Sequence, residues 1–178
     1  ASTENKLYVL MDQNQQATID VPYRNMTFQG QPDPRVPVYN TGVLGPGTDI
    51  EMWATTKYGS IDSPVQVASW EEAQLIVAEA ALEAGQLQTV VGIINTLHDR
   101  VGLPEFASDD AAEIREQLIY ERAAELFLEG QHLKDLERLN LTLYPAPGTP
   151  AYHGGFFSDQ LCFPLPEVEY LNNPNISR

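Results

Sequence analysis

The chain has 178 residues, enough to bury one sizeable core, and 43% of them are hydrophobic. Its 10 basic against 25 acidic residues give a formal charge of −15, a field that repels phosphate backbones and anionic membrane surfaces and so argues against nucleic acid as a partner. A single cysteine rules out an intrachain disulfide, and the purely apolar runs are too short for a transmembrane helix.

Residues 1–65 carry few helix signals. Pro22, Pro32, Pro34, Pro37, Pro46 and Pro64, with Gly30, Gly42, Gly45 and Gly47, interrupt the segment every few residues. Short extended pieces are expected at Lys6–Met11 and Ile50–Tyr58, within an ordered but irregular layer rich in aromatic and β-branched residues. Residues 1–8 contain no apolar stretch of signal-peptide type, so the chain is intracellular, or has lost a leader, or is an internal fragment.

Helices begin near residue 69. Ser69-Trp70-Glu71-Glu72 reads as a capping box, and Trp70, Ala73, Val77, Ala80 and Ala84 fall on one face at helical spacing, which marks Trp70 as core. Gly85 supplies a left-handed cap. A second helix follows at once, with Val90, Ile93, Ile94, Leu97 and Val101 as its apolar stripe and Gly102 and Pro104 as its stop. So short a turn makes the two antiparallel neighbours. Ser108-Asp109-Asp110 caps a third helix that carries Ile114, Leu118, Ile119, Leu126 and Phe127 and runs to Gly130. Leu133, Leu136 and Leu139 line a shorter fourth. The expected fold is mainly α: two antiparallel helical hairpins of tetratricopeptide-like (α-α superhelix) type over 69–140, packed against the 1–65 layer with its short strands. A loop over 144–158 and an extended, largely buried piece at 161–166 complete one domain spanning 1–178. Cys162, between Leu161 and Phe163, reads as a small buried hydrophobe, because a catalytic thiol needs a nearby base and an electropositive setting.

The densest motif runs from Ile119 to Leu139. Glu121, Glu125 and Glu129, at i, i+4 and i+8, share one helix face; Arg122 can reach Glu125 and Asp135 can reach Arg138 at i+3. Exposed pairs of this kind are worth only about 0.2–0.5 kcal/mol each. So dense a cluster points to a structural role, with these side chains tying loops of the irregular layer to helices. Paired carboxylates also serve glycoside hydrolysis, which is the catalytic alternative. Trp53, Tyr58, Tyr152 and Phe156 are candidate ligand-binding aromatics, since a ring offers a flat apolar face to the C–H face of a sugar; the structural alternative is that they cover the core. His98, His132 and His153 show no metal-ligand spacing, and Gly42-Val43-Leu44-Gly45-Pro46-Gly47 lacks the Lys-Ser/Thr of a phosphate loop, so no metal or cofactor is expected.

Several pieces together resemble the C-terminal part of the SusD/RagB family of outer-membrane nutrient-binding lipoproteins. They are Asp33-Pro34-Arg35; Lys57-Tyr58; Leu75-Ile76-Val77-Ala78-Glu79-Ala80 with Gly85; Asn95-x-x-His98-x-Arg100-Val101-Gly102-Leu103-Pro104; the run from Glu121-Arg122 through Glu125, Glu129-Gly130 and Asp135 to Arg138; and Pro164-Leu165-Pro166-x-x-Glu169 with Asn173-Pro174. His98 and His132 stand where the family pattern usually has Arg, and Val101 where it has Ala. The resemblance implies a SusD-like fold, and implies that this chain is the C-terminal fragment of a longer protein with a lipidated N-terminal cysteine. It implies a non-enzymatic glycan- or nutrient-binding protein at the outer-membrane surface, partnered by a SusC-like TonB-dependent transporter. Membrane association would come only through that lipid anchor. The rival expectation is a helical-repeat scaffold for a protein partner.

Overall fold

The computed structural model describes residues 4–151, 154–160, 166, 168 and 171. By its internal contacts the chain divides into two compact units, Ala1–His132 and Leu133–Arg178.

The first unit opens with a helical turn, α1 (Lys6–Tyr8), that widens into π-helix over Val9–Gln13. A strand was expected there. Asn5 decides otherwise: its side chain accepts from the Tyr8 amide at 3.1 Å and caps the turn. Two small antiparallel ladders follow, β1 (Thr27–Phe28) with β2 (Gln31–Pro32), and β3 (Val38–Leu44) with β4 (Glu51–Thr55). The second of these includes the strand expected from Ile50 onward.

Four helices come next: α2 (Trp70–Glu83), α3 (Leu87–Val101), α4 (Ala111–Glu125) and α5 (His132–Arg138), the last of which crosses into the second unit. Ser69 Oγ accepts from the Glu72 amide at 2.8 Å, so the cap forms as expected; the Glu72 carboxylate accepts from Gln131. Gly85, at φ +69°, turns the chain between α2 and α3, and Gly102, at φ +74°, ends α3.

Leu75, Ala78 and Ala81 of α2, Val90, Val91, Ile94 and Leu97 of α3, and Ile114 and Leu118 of α4 form one buried cluster, which Leu126 joins. A second cluster joins the irregular layer (Met11, Ile19, Val36) to Ala124 and Phe127. Helix α4 and the turn after it are therefore a wall shared by two cores.

Two sequence expectations change here. The stripe Trp70, Ala73, Val77, Ala80, Ala84 faces solvent, with Trp70 46% and Val77 52% exposed; the buried face of α2 is Leu75, Ala78 and Ala81. Nor does α4 run to Gly130. It ends at Glu125, and a tight turn swings Leu126 and Phe127 into the cores, with Leu128 at φ +59° and Gly130 at φ +83°.

In the second unit, Arg138 Nη2 donates to Asp135 Oδ1 at 2.8 Å, the pairing expected from their i+3 spacing. The expected loop folds back on itself: Pro150 bridges Phe156, and the Phe157 amide donates to Thr149 O at 2.9 Å. The expected extended piece at 161–165, with Cys162, and the closing Asn173-Pro174 lie outside the described residues.

Candidate functional site

Within the first unit, motif residues distant in sequence converge on one buried charge cluster. Asp33 and Arg35 form a two-pronged pair: Arg35 Nε donates to Asp33 Oδ1 at 2.9 Å and Nη2 donates to Oδ2 at 2.7 Å. Asp33 Oδ1 also accepts from the Arg35 amide at 3.0 Å, and Oδ2 from the Tyr120 hydroxyl at 2.9 Å. The remaining prong of Arg35, Nη1, reaches α4 and donates to Glu121 Oε2 and, at 3.0 Å, to Glu125 Oε1. Glu121 is fully buried, and its Oε1 accepts from Gln117 at 2.7 Å and from His98 Nε2 at 2.8 Å. The other ring nitrogen of His98 lies 2.6 Å from the Pro104 carbonyl.

The electrostatics follow from burial and pairing. Burial alone would push Asp33 upward, but the hydrogen bonds and charge of Arg35 outweigh it and hold the carboxyl below its ordinary value. Glu125 goes the other way: burial raises it, and Arg35 only partly offsets that. Burial, with the hydrogen bond to Asp33, keeps the Tyr120 phenol far above its usual range.

Glu129, expected on the same helix face, lies instead in the turn beyond α4, because the helix ends at Glu125; it accepts from Lys57 Nζ at 2.8 Å, and the same ammonium donates to Phe127 O at 2.6 Å. Tyr58 Oη donates to Leu128 O at 3.3 Å. Carbonyls left without intrahelical partners beyond α4 are thus taken by side chains of the layer. Helices and loops are tied together by side chains of the layer reaching the glutamates and the carbonyls beyond α4, the reverse of the expected bonds from motif side chains to layer backbone. Arg122 departs from expectation: its Nη1 extends toward Glu79 Oε2 of α2, 3.9 Å away, while Glu125 is taken by Arg35.

Beside this cluster lies a polar cleft of about 420 Å³, lined by Pro34, Arg35, Lys57, Glu71, Glu125 and Glu129 among others. Glu71 is in turn held by Arg100 at 2.8 Å, and the Arg100 guanidinium sits over the Trp70 ring, 4.8 Å from its centroid. Sequence reading singled out Pro34, Arg35, Lys57, Glu71, Glu125 and Glu129 as pieces of separate motifs but not the cleft they line. Its walls come from segments that touch only after folding, and Gln66 and Pro37 carry no motif signal.

The candidate aromatics differ in burial. Tyr58 is 3% exposed and belongs to the core, which leaves no ring face for a ligand. Trp53 is partly buried, with its indole N–H donating to Glu51 at 3.2 Å and Arg24 stacked 5.3 Å from the ring centroid. Phe156, in the second unit, is 72% exposed. Tyr152 lies outside the described residues. No group of His, Cys, Asp and Glu among the described residues could hold a metal ion, and no helix among them is long and apolar enough to cross a membrane.

Comparison with known proteins adds three findings. The model of a family described as the SusD family matches residues 72–176. The fold is similar to a SusD superfamily protein from Bacteroides vulgatus ATCC 8482, at TM-score 0.51 and 22% identity over 78% of this chain and 33% of that one. It is also similar to a SusD superfamily protein from Parabacteroides distasonis ATCC 8503, at TM-score 0.55 and 21% identity over 79% of this chain and 36% of that one. This chain therefore spans about a third of the length of the solved structures it matches. No curated protein matches the sequence.

Proposed function

The chain belongs to the SusD family, and from that premise we propose that it is part of a non-enzymatic glycan-binding protein that serves nutrient uptake. The family match over residues 72–176 carries this reading. The longer protein would sit on the outer-membrane surface through an N-terminal lipid anchor and pass its ligand to a SusC-like TonB-dependent transporter. A binding role fits the glutamate face, since both oxygens of Glu121 are occupied by protein donors and neither is free to act as acid, base or nucleophile.

Phe156 is the first proposed sugar platform, because it is 72% exposed, and Trp53, which is only half-buried, is the second. Calorimetric titration with a panel of oligosaccharides is expected to give saturable binding that Trp53→Ala or Phe156→Ala weakens about tenfold, the loss of roughly 1.4 kcal/mol. No saturation with any member of the panel would remove the glycan reading for this chain.

The solvent-facing stripe of α2 favours a second reading, a helical-repeat surface of tetratricopeptide-like type for a protein partner. On that reading a pull-down from the host recovers a soluble partner that Val77→Glu releases, and recovery of a transporter instead would rule the reading out.

A further inference from the structure

We propose that His98 is a buried imidazolium at neutral pH and acts as a pH-sensitive latch joining α4, the 102–106 turn and the Arg35 wall of the cleft. Hydrogen-bond bookkeeping carries the argument. Both ring nitrogens face acceptors at close range, the Pro104 carbonyl at 2.6 Å and Glu121 Oε1 at 2.8 Å. A carbonyl cannot donate. Glu121 is salt-bridged through Oε2 to the Arg35 guanidinium, and the carboxylate of such a pair only accepts. Both ring nitrogens must then carry protons, and only the imidazolium does.

The surroundings agree. The ring is fully buried. Burial and the Arg35 guanidinium oppose its charge, while Glu121 and the Pro104 carbonyl favour it and prevail, raising the group above its ordinary value. Around it, α4 presents Glu121, with Glu125 beyond; the layer presents Asp33 and Arg35, already paired with each other; and β1 presents the Phe28 ring, 4.6 Å from the imidazole centroid. From α2, Glu71 is engaged with Arg100.

A neutral ring has one N–H for two acceptors. On deprotonation a nitrogen lone pair faces either the Pro104 carbonyl or the Glu121 carboxylate, and one side of the latch opens. The turn it holds is also pinned by Gln31 donating to Gly102 O at 2.9 Å, Gln29 to Glu105 O at 3.2 Å, the Leu103 amide to His98 O at 3.0 Å, and Asn95, which donates to Phe106 O and accepts from its amide. Glu121 in turn positions Arg35 in the cleft wall. Because the folded-state value is raised, this stabilisation is complete below the ordinary histidine value of about 6.5 and is lost as pH rises through the folded-state value. The latch does not depend on which ligand the cleft or the aromatics take.

The ring nitrogens of uniformly 15N-labelled protein, followed by NMR from pH 6 to pH 10, test the idea, with His132→Gln and His153→Gln assigning the remaining histidine. Two protonated nitrogens at pH 7 and a midpoint above the ordinary histidine value are expected; one bare nitrogen at pH 7 overturns the proposal. Thermal unfolding gives a second readout. Wild-type Tm is expected to fall across the alkaline range while that of His98→Gln stays flat, and parallel curves would count against the latch. If His98→Gln does not fold, the ring titration of the wild type decides alone.

Discussion

Arg35→Met is expected to lower the free energy of unfolding by about 3–5 kcal/mol, because it strands buried carboxylates without their counter-charge while nearly preserving volume. Asp33 and Glu121 have fully buried side chains; Asp33 is paired with this guanidinium, and Glu121 would keep only His98 and Gln117. Urea unfolding measures the effect as a shift of midpoint at constant slope. Adding Glu121→Gln to Arg35→Met should recover part of the loss, since a neutral amide costs less than an unpaired charge at the same place. The acid limb has a defined sign. Asp33 is held below its ordinary value, so its contribution is present above that value and fades as pH falls through the folded-state value. That limb should flatten in Arg35→Met. A loss below about 1 kcal/mol would mean that the cluster behaves like an exposed ion pair and that its burial confers nothing.

Leu97→Ala is the second large effect, with an expected cost of about 2–5 kcal/mol from lost transfer energy and the cavity left behind. Leu97 is fully buried in the cluster shared by α2, α3 and α4. Val77→Ala, on the solvent-facing stripe of α2, supplies the contrast and should stay within about 0.5 kcal/mol. Comparable losses for the two substitutions would reverse the assignment of the buried face.

That contrast shows where sequence reading works and where it fails. In α3 the polar residues leave one apolar stripe, and Val90, Ile94 and Leu97 are buried as their spacing requires. In α2 apolar residues lie nearly all round the helix, so periodicity alone cannot choose between the Trp70–Val77 face and the Leu75–Ala78 face. Packing chose the second, which lets small side chains meet α3 and α4. Helix α4 buries two faces against two different cores, and its true end at Glu125 depends on Lys57 and Tyr58, distant residues that receive the carbonyls beyond it. In sequence Tyr58 is a candidate platform only as an aromatic in the extended segment, and its burial favours the alternative that it covers the core. The charged motif was legible as a face of α4, whereas its partners were known only as separate motif pieces, since ion pairing across folded segments leaves no local periodicity.

The ties between the layer and α4 have a further consequence, in the timing of assembly. Arg35 and Glu125 are 90 positions apart, Asp33 and Tyr120 87, and Lys57 and Phe127 70. Contacts among α2, α3 and α4 close far shorter loops. Loop-closure entropy and contact order therefore place the helical cluster early in folding and the layer late. During synthesis residues 1–60 emerge before α4 exists, and they must wait for roughly 60 residues more before Arg35 finds its carboxylates. A proline-punctuated stretch with short strands suits that wait, because it offers little continuous edge on which another chain could build.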